Sequence, residues 1–143
     1  MKKFLFALTF ALIFFQASKA SAQQKGKKVD IDLTKVSNTF IYSQLFNMMA
    51  EPESYVGKTI KIKGVFAVYD LPPEFGRKNA FAVVISDMAG CCQQGLEFVW
   101  EGKHDYPKDY PAPGKSITVT GVFQNYKVQG YDCFCLKTND VSF

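Results

Sequence analysis

Histidine is scarce in this sequence, because His104 is the only one in 143 residues. It stands next to Asp105 in a proline-rich stretch, and adjacent residues point in different directions, so the pair is not arranged like part of a catalytic triad. The sequence also lacks a Gly-x-Ser-x-Gly elbow, a His-Glu-x-x-His motif, an EF-hand loop and a glycine-rich dinucleotide fingerprint. These absences argue against the common hydrolases and cofactor-dependent oxidoreductases. We therefore expect a protein that is not an enzyme.

Two Gly-Lys-Ser/Thr triplets are present without the rest of a phosphate-binding loop. Such a loop has a further glycine five residues before the glycine of the triplet. The corresponding positions here are Pro52 and Asp109. Each triplet also leads into a predicted strand, whereas a phosphate-binding loop leads into a helix. We interpret both triplets as turns at which strands begin.

Long hydrophobic runs are absent except near the start of the chain. Lys2 and Lys3 precede an apolar run over residues 4–15, and small residues follow up to Ala22. This order is typical of a secretory signal peptide over residues 1–22. A membrane-spanning helix needs about 17–25 apolar residues, and this run is shorter. We expect a periplasmic or secreted protein with no transmembrane span in its mature chain.

Excess charge is also small once this segment is set aside. The whole chain has 17 basic and 13 acidic residues, but three of the lysines lie in residues 1–22. Removal of that segment leaves 14 basic residues against 13 acidic ones. A nearly neutral secreted chain is a poor partner for nucleic acid. We expect its partner to be a small ligand, an ion or a protein of the cell envelope.

The remaining chain shows a leader, one helix and several strands. Residues 23–36 begin with a polar, basic stretch and are predicted to be a flexible leader. A helix should begin at Ser37 or Asn38, because apolar residues then recur at helical spacing until Pro52 ends the pattern. Residues 80–86, 96–100 and 131–137 are short apolar or alternating runs and are predicted to be strands.

A repeated phrase supplies two further strands. Residues 57–66 and 114–123 both read Gly-Lys-Ser/Thr, then alternating β-branched residues, then Gly-Val-Phe. An interior glycine permits the sharp bend that closes a small sheet on itself. Five strands with one helix predict a mainly β fold, a small five-stranded OB-like Greek-key barrel over residues 37–143. Another small open barrel or a sandwich is the alternative. The alternating positions predict this core: Ile60, Ile62, Val83, Ile85, Phe98, Trp100, Ile117, Val119, Phe134 and Leu136.

Aromatic and basic residues are interleaved in two predicted loops. OB folds often bind ligands through one sheet face and the loops at its rim, and such side chains can stack on bases or sugar rings. The same aromatic side chains could instead close the ends of the barrel. The candidate ligand face consists of Tyr69, Phe75, Arg77, Lys78, Tyr126, Lys127 and Tyr131.

Four cysteines form two short motifs, Cys91-Cys92 and Cys133-x-Cys135. The strands that follow or contain them would be parallel neighbours in an OB barrel, so we expect all four sulfurs to lie together. A sulfur of the first pair should then have a partner in the second, with Cα atoms less than about 7 Å apart. Three interpretations of the cysteines remain open: one or two structural disulfides, a zinc or copper site, or a thiol-disulfide redox pair of Cys91 and Cys92.

Several of these motifs together resemble a known family. The motifs concerned are the phrase over residues 53–58, Ile60-x-Ile62-x-Gly64, Phe81, the Cys91-Cys92 pair and Val119-x-Gly121. Together they are similar to the C-terminal domain of the YcgQ-like proteins. These form an uncharacterised bacterial family encoded with a predicted permease. The resemblance covers residues from about 40 to 143 and implies an OB-like domain with a cysteine pair. It implies no established activity.

Overall fold

The computed structural model describes residues 28–143. The predicted signal peptide over residues 1–22 and the first part of the predicted leader, residues 23–27, lie outside the described residues. Within residues 28–143, none of the helices is both long and apolar enough to cross a membrane.

The one α-helix within residues 28–143 lies where the sequence predicts it. Helix α1 spans Asn38–Ala50, and the hydroxyl of Ser37 accepts a hydrogen bond from the amide of Phe40 as an N-cap. Its apolar positions Ile41, Leu45 and Met48 are buried against β-strands of the core. After the helix, Pro52 opens a short 3₁₀ turn. The cap and the proline therefore define both ends of the element, as predicted from their backbone preferences.

In the described part of the chain six strands form one sheet, so the fold is mainly β as predicted. The strands are β1 (Ile31–Asp32), β2 (Thr59–Asp70), β3 (Asn79–Ser86), β4 (Gln93–Trp100), β5 (Ser116–Val128) and β6 (Tyr131–Ser142). They are arranged in the order β1-β2-β3-β4-β6-β5, and β2 also pairs with β5. Strands β4 and β6 are parallel, as are β1 and β2, and the other neighbours are antiparallel. The pairings β2–β3–β4–β6–β5–β2 form a continuous cycle.

The sixth strand corrects the predicted count of five and the extent of the leader. Strand β1 pairs with β2 through Ile31 opposite Ile60, and the carboxylate of Asp30 accepts a hydrogen bond from the amide of Thr59. Leu33 is only 1% exposed and belongs to the core. Residues 30–33 were assigned to the leader because a two-residue strand gives too short a pattern to recognise. The ordered domain therefore begins before Ser37.

The core follows the predicted alternation. Of the ten predicted core residues, Ile60, Ile62, Val83, Ile85, Phe98, Ile117, Val119 and Leu136 are buried. The other two, Trp100 and Phe134, are partly buried and pack against the same cluster. The helix residues and several large side chains complete it: Leu33, Ile41, Leu45, Met48, Phe66, Leu96 and Phe123.

Glycine in the repeated phrase stands where strands change their pairing. Strand β2 pairs with β5 up to Val65 and with β3 from Val65 onward, so Gly64 directly precedes the change. A Cβ on Gly64 would lie 2.7 Å from the carbonyl oxygen of Val84. In the second copy, the register of β5 against β6 shifts between Thr120 and Gly121. Both glycines therefore allow a close backbone approach that a side chain would prevent.

Candidate functional site

The loop that joins β3 to β4 contains the first cysteine pair. Its residues 87–92 read Asp-Met-Ala-Gly-Cys-Cys. Gly90 has a φ of 69°, the left-handed conformation that glycine adopts without strain. The amide of Asp87 donates to the carbonyl of Cys92 at 2.9 Å, which closes the loop across its base. The turn therefore projects the two cysteines from the ends of two paired strands.

Three possible metal ligands converge in this loop. One carboxylate oxygen of Asp87 and the sulfurs of Cys91 and Cys92 all lie within 4.8 Å of one another. The Cys91 sulfur is 3.3 Å from Oδ2 of Asp87 and 3.7 Å from the Cys92 sulfur. Both cysteines are exposed. In residues 28–143 this is the one such cluster of three or more Asp, Glu, His or Cys side chains.

Asp87 also forms hydrogen bonds within the loop, and these shift its own pKa and that of Cys91. Its Oδ1 accepts a hydrogen bond from the amide of Cys91 at 3.1 Å, while Oδ2 accepts one from the Cys91 thiol. The thiol hydrogen bond is the main reason that the pKa of Asp87 is lowered. The same hydrogen bond, together with that to Cys92, raises the pKa of Cys91. Asp87 is therefore a carboxylate that accepts a hydrogen bond from the protonated thiol of Cys91.

The second cysteine pair lies elsewhere on the sheet, which corrects the expectation of one cluster. Strands β4 and β6 are parallel neighbours as expected, but their register sets Cys135 opposite Glu97. Glu97 is five residues beyond Cys92, or about 16 Å along an extended strand. Cys133, two residues earlier on β6, remains about 10 Å along the strand from Cys92. Both distances exceed the predicted 7 Å, and all four cysteines are free thiols in this structure.

Cys135 lies in a different chemical environment from the loop thiols. It is 6% exposed, and burial, followed by the nearby charge of Glu97, raises its pKa to about 11. Burial makes this thiol unreactive and keeps an incoming ion from reaching it. The chemistry expected of cysteine is therefore concentrated in the loop over residues 87–92.

On the predicted ligand face, the structure brings Arg77 and Tyr126 together around Glu97. Arg77 forms an ion pair with Oε1 of Glu97 through Nη1, and its Nη2 donates to the hydroxyl of Tyr126 at 2.9 Å. That hydroxyl donates in turn to Oε2 of Glu97 at 2.6 Å. Burial, together with the carboxylate of Glu97, raises the pKa of Tyr126 above its ordinary value. The three side chains therefore satisfy one another and hold the loop after β2 against β4 and β5.

The other predicted face residues do not converge on this network. Lys127 forms an ion pair with Asp132 across the turn between β5 and β6. Tyr69 and Tyr131 are 50% and 77% exposed. Phe75 lies in a short 3₁₀ turn, and the exposed Lys78 accepts a backbone hydrogen bond from Leu71. This face thus consists of one closed polar network and separate exposed side chains.

Sequence reasoning missed two residues that organise these sites, Asp87 and Glu97. Asp87 could have been found from its spacing, since it precedes Cys91 by four residues and follows directly on a predicted strand. A short turn at Gly90 then brings a carboxylate back to the cysteines. Glu97 gave no local signal, because its partners Arg77 and Tyr126 are distant in sequence. Comparison of the chain with protein-family models and with curated proteins finds no match.

Proposed function

We propose that this protein is a non-catalytic OB-like binding module of the bacterial cell envelope, secreted or periplasmic, that binds a thiophilic divalent ion. The ion is of the zinc class, and its ligands are Asp87, Cys91 and Cys92. The convergence of these three donor atoms in one exposed loop is the observation that carries the proposal. The resemblance of residues 40–143 to the YcgQ-like domain is part of the same proposal, since a cysteine pair after an apolar strand is its most specific feature.

The strand pairings support the OB-like Greek-key barrel. An OB barrel has five strands, of which the first pairs with the fourth and the third lies parallel to the fifth. With β1 set aside, β2 pairs with β5, and β4 is parallel to β6. In this topology, residues 87–92 form the loop between the second and third barrel strands.

The distances within the loop support a tetrahedral ion. Zinc binds cysteine sulfur at about 2.3 Å and carboxylate oxygen at about 2.0–2.2 Å. At tetrahedral angles, these bond lengths give a sulfur–sulfur separation of about 3.8 Å and a sulfur–oxygen separation of about 3.6 Å. The sulfur–sulfur separation here is 3.7 Å and the Cys91 sulfur–oxygen separation is 3.3 Å. These two separations therefore differ from the tetrahedral values by only a few tenths of an ångström, and the third, between the Cys92 sulfur and Asp87, is at most 4.8 Å.

The donor types favour zinc over copper. Two thiolates alone would suit a soft cuprous ion, but a carboxylate oxygen is a hard donor that zinc accepts and a cuprous ion does not prefer. Asp87 contributes such an oxygen beside both sulfurs. We therefore assign the zinc class to this site, with copper as the competing ion in the binding experiment.

The alternative function, a thiol-disulfide redox protein that uses Cys91 and Cys92, has less support. A catalytic cysteine is activated by a lowered pKa, since the thiolate is the reactive form. Hydrogen bonds from its neighbours, Asp87 first, raise the pKa of Cys91. The raised pKa of Cys91 therefore disfavours rapid thiol-disulfide exchange at neutral pH.

Zinc titration of the reduced chain over residues 23–143 tests the proposal. We expect one zinc ion per chain by competition with a chromogenic chelator. Cys91→Ser, Cys92→Ser and Asp87→Asn should each weaken binding at least about tenfold, since even changes outside the ligand set commonly cost 10- to 100-fold. Cys133→Ser is the matched control, because it removes a thiol away from the loop. Equal losses in the control, or no stoichiometric zinc, would contradict the proposal.

A further inference from the structure

We infer that the loop over residues 87–92 is an exchange site, which passes its ion to and from a thiol-bearing acceptor. This inference rests on the proposed zinc-class function. The protein provides three ligands from one loop, and the fourth position of a tetrahedral ion is left for the acceptor. The partner is thus defined by its chemistry, as a molecule that presents a cysteine thiolate to this exposed loop.

The number of protein ligands is the first reason. Structural zinc sites are closed by four protein ligands, whereas sites that keep a position open have three. Among residues 28–143, no fourth Asp, Glu, His or Cys joins Asp87, Cys91 and Cys92. His104, the only histidine, stacks on Trp100 at 3.8 Å between ring centroids and is therefore engaged elsewhere. A fourth ligand would therefore have to come from another molecule.

Exposure of the donors is the second reason. Cys91 and Cys92 are both exposed, and their neighbour Met88 is 87% exposed, so solvent reaches both cysteines. An incoming ligand can therefore reach the ion while all three protein ligands still hold it. A buried site would have to open first, and release would then be limited by that opening.

The independence of the fold from the ion is the third reason. Backbone hydrogen bonds close the loop, from the amide of Asp87 to the carbonyl of Cys92 and from the amide of Gly90 to the carbonyl of Asp87. Oδ1 of Asp87 adds a bond from the amide of Cys91. The hydrophobic core contains none of these residues. Loss of the ion should therefore leave the domain folded, in contrast to structural zinc sites, whose removal unfolds small domains.

The exchange step is a ligand substitution with no change of oxidation state. The thiol of the acceptor loses its proton and forms a sulfur–metal bond at the fourth position. One cysteine–metal bond of the loop then breaks, and that cysteine takes up a proton. Oδ2 of Asp87 lies 3.3 Å from the Cys91 sulfur, where it can accept a hydrogen bond from the newly protonated thiol. A second thiolate of the acceptor displaces the other cysteine in the same way, and a water molecule replaces the carboxylate of Asp87, so the ion leaves with the acceptor.

Release kinetics test this inference. The chain over residues 23–143, loaded with one zinc ion, is mixed with an excess of chromogenic chelator and increasing concentrations of reduced glutathione. We expect the release rate to rise in proportion to glutathione and by at least about tenfold over a hundredfold range. S-methylglutathione has a similar charge and no thiol, so it is the matched control and should leave the rate unchanged.

The outcomes separate this inference from the function on which it rests. A release rate that does not depend on glutathione overturns the exchange site while zinc binding stands. Half a zinc ion per chain in a dimer also overturns it, because a second copy then closes the fourth position. A metal-free chain whose far-ultraviolet circular dichroism shows unfolding identifies a structural ion and overturns it as well. Absence of stoichiometric zinc defeats the proposed function itself.

Discussion

At the scale of single residues, Glu97 is a mostly buried acid that two other side chains hold in place. Its side chain is 16% exposed and depends on Arg77 and Tyr126 for its partners. Tyr126→Phe removes the hydrogen bond to Oε2 and should lower the free energy of unfolding by about 1–2 kcal/mol, whereas Arg77→Ala should cost about 1–3 kcal/mol. Urea denaturation measures both changes.

The exposed ion pair between Lys127 and Asp132 is the matched control for that network. Both of its side chains are more than half exposed. Lys127→Ala should therefore change the free energy of unfolding by less than about 1 kcal/mol. A cost for Arg77→Ala no larger than that for Lys127→Ala would show that the network contributes no more than a surface pair.

Thiol reactivity should distinguish the two cysteine pairs. Cys135 is 6% exposed with a pKa of about 11, so its thiolate fraction at pH 8 is about 100-fold below that of an ordinary thiol. Iodoacetamide should therefore modify the exposed Cys91 and Cys92 long before Cys135. Peptide mass spectrometry at timed intervals measures the order in the metal-free chain. Early modification of Cys135 in the folded protein would contradict its assigned burial.

At the scale of elements, the close approach of β2 to β3 depends on the missing side chain of Gly64. A Cβ there would lie 2.7 Å from Ile85, Val83 and the carbonyl oxygen of Val84. Gly64→Ala should therefore destabilise the protein by about 1–3 kcal/mol or more, as overpacking of a rigid site does. Thermal unfolding followed by circular dichroism measures the loss.

Gly95 supplies the comparison within the same sheet. A Cβ on Gly95 would be 3.4 Å from its nearest atom, a Val84 methyl, which is an ordinary contact. Gly95→Ala should stabilise the protein slightly or leave it unchanged, since alanine loses less backbone entropy on folding. Equal destabilisation by both substitutions would mean that the close approach at Gly64 is not the cause.

Local periodicity was sufficient to predict most elements and the core. Ile60 and Ile62, and likewise Ile117 and Val119, are buried because side chains alternate along a strand. Strand β1 was missed because its two residues carry no period, and pairing with β2 rather than propensity forms it. The failure at the cysteines has another origin. Neighbouring parallel strands were correctly expected, but the register that sets Cys135 opposite Glu97 depends on long-range pairing, which spacing does not reveal.

For the whole molecule, the raised pKa values of a cysteine thiol and a tyrosine hydroxyl make stability depend on pH in the alkaline range. The folded pKa of Cys135 is about 11, above its ordinary 9.0, and that of Tyr126 is also raised above 10.0. Below pH 9 both the folded and the unfolded chain keep these protons, so their contribution is fully present. Between pH 9 and 11 the unfolded Cys135 thiol loses its proton while the folded one retains it, so the free energy of unfolding falls as pH rises.

Each group can contribute at most about 1.4 kcal/mol per pH unit to this fall. Urea denaturation at intervals from pH 8 to 10.5 should show a flat region followed by a decline. Cys135→Ala should make the decline in the free energy of unfolding shallower above pH 9. Tyr126→Phe should make it shallower only above about pH 10, where the hydroxyl of Tyr126 begins to ionise in the unfolded chain. The comparison uses slopes against pH, so the fixed cost of either truncation cancels. Slopes identical to that of the unaltered chain would mean that neither proton is retained by burial.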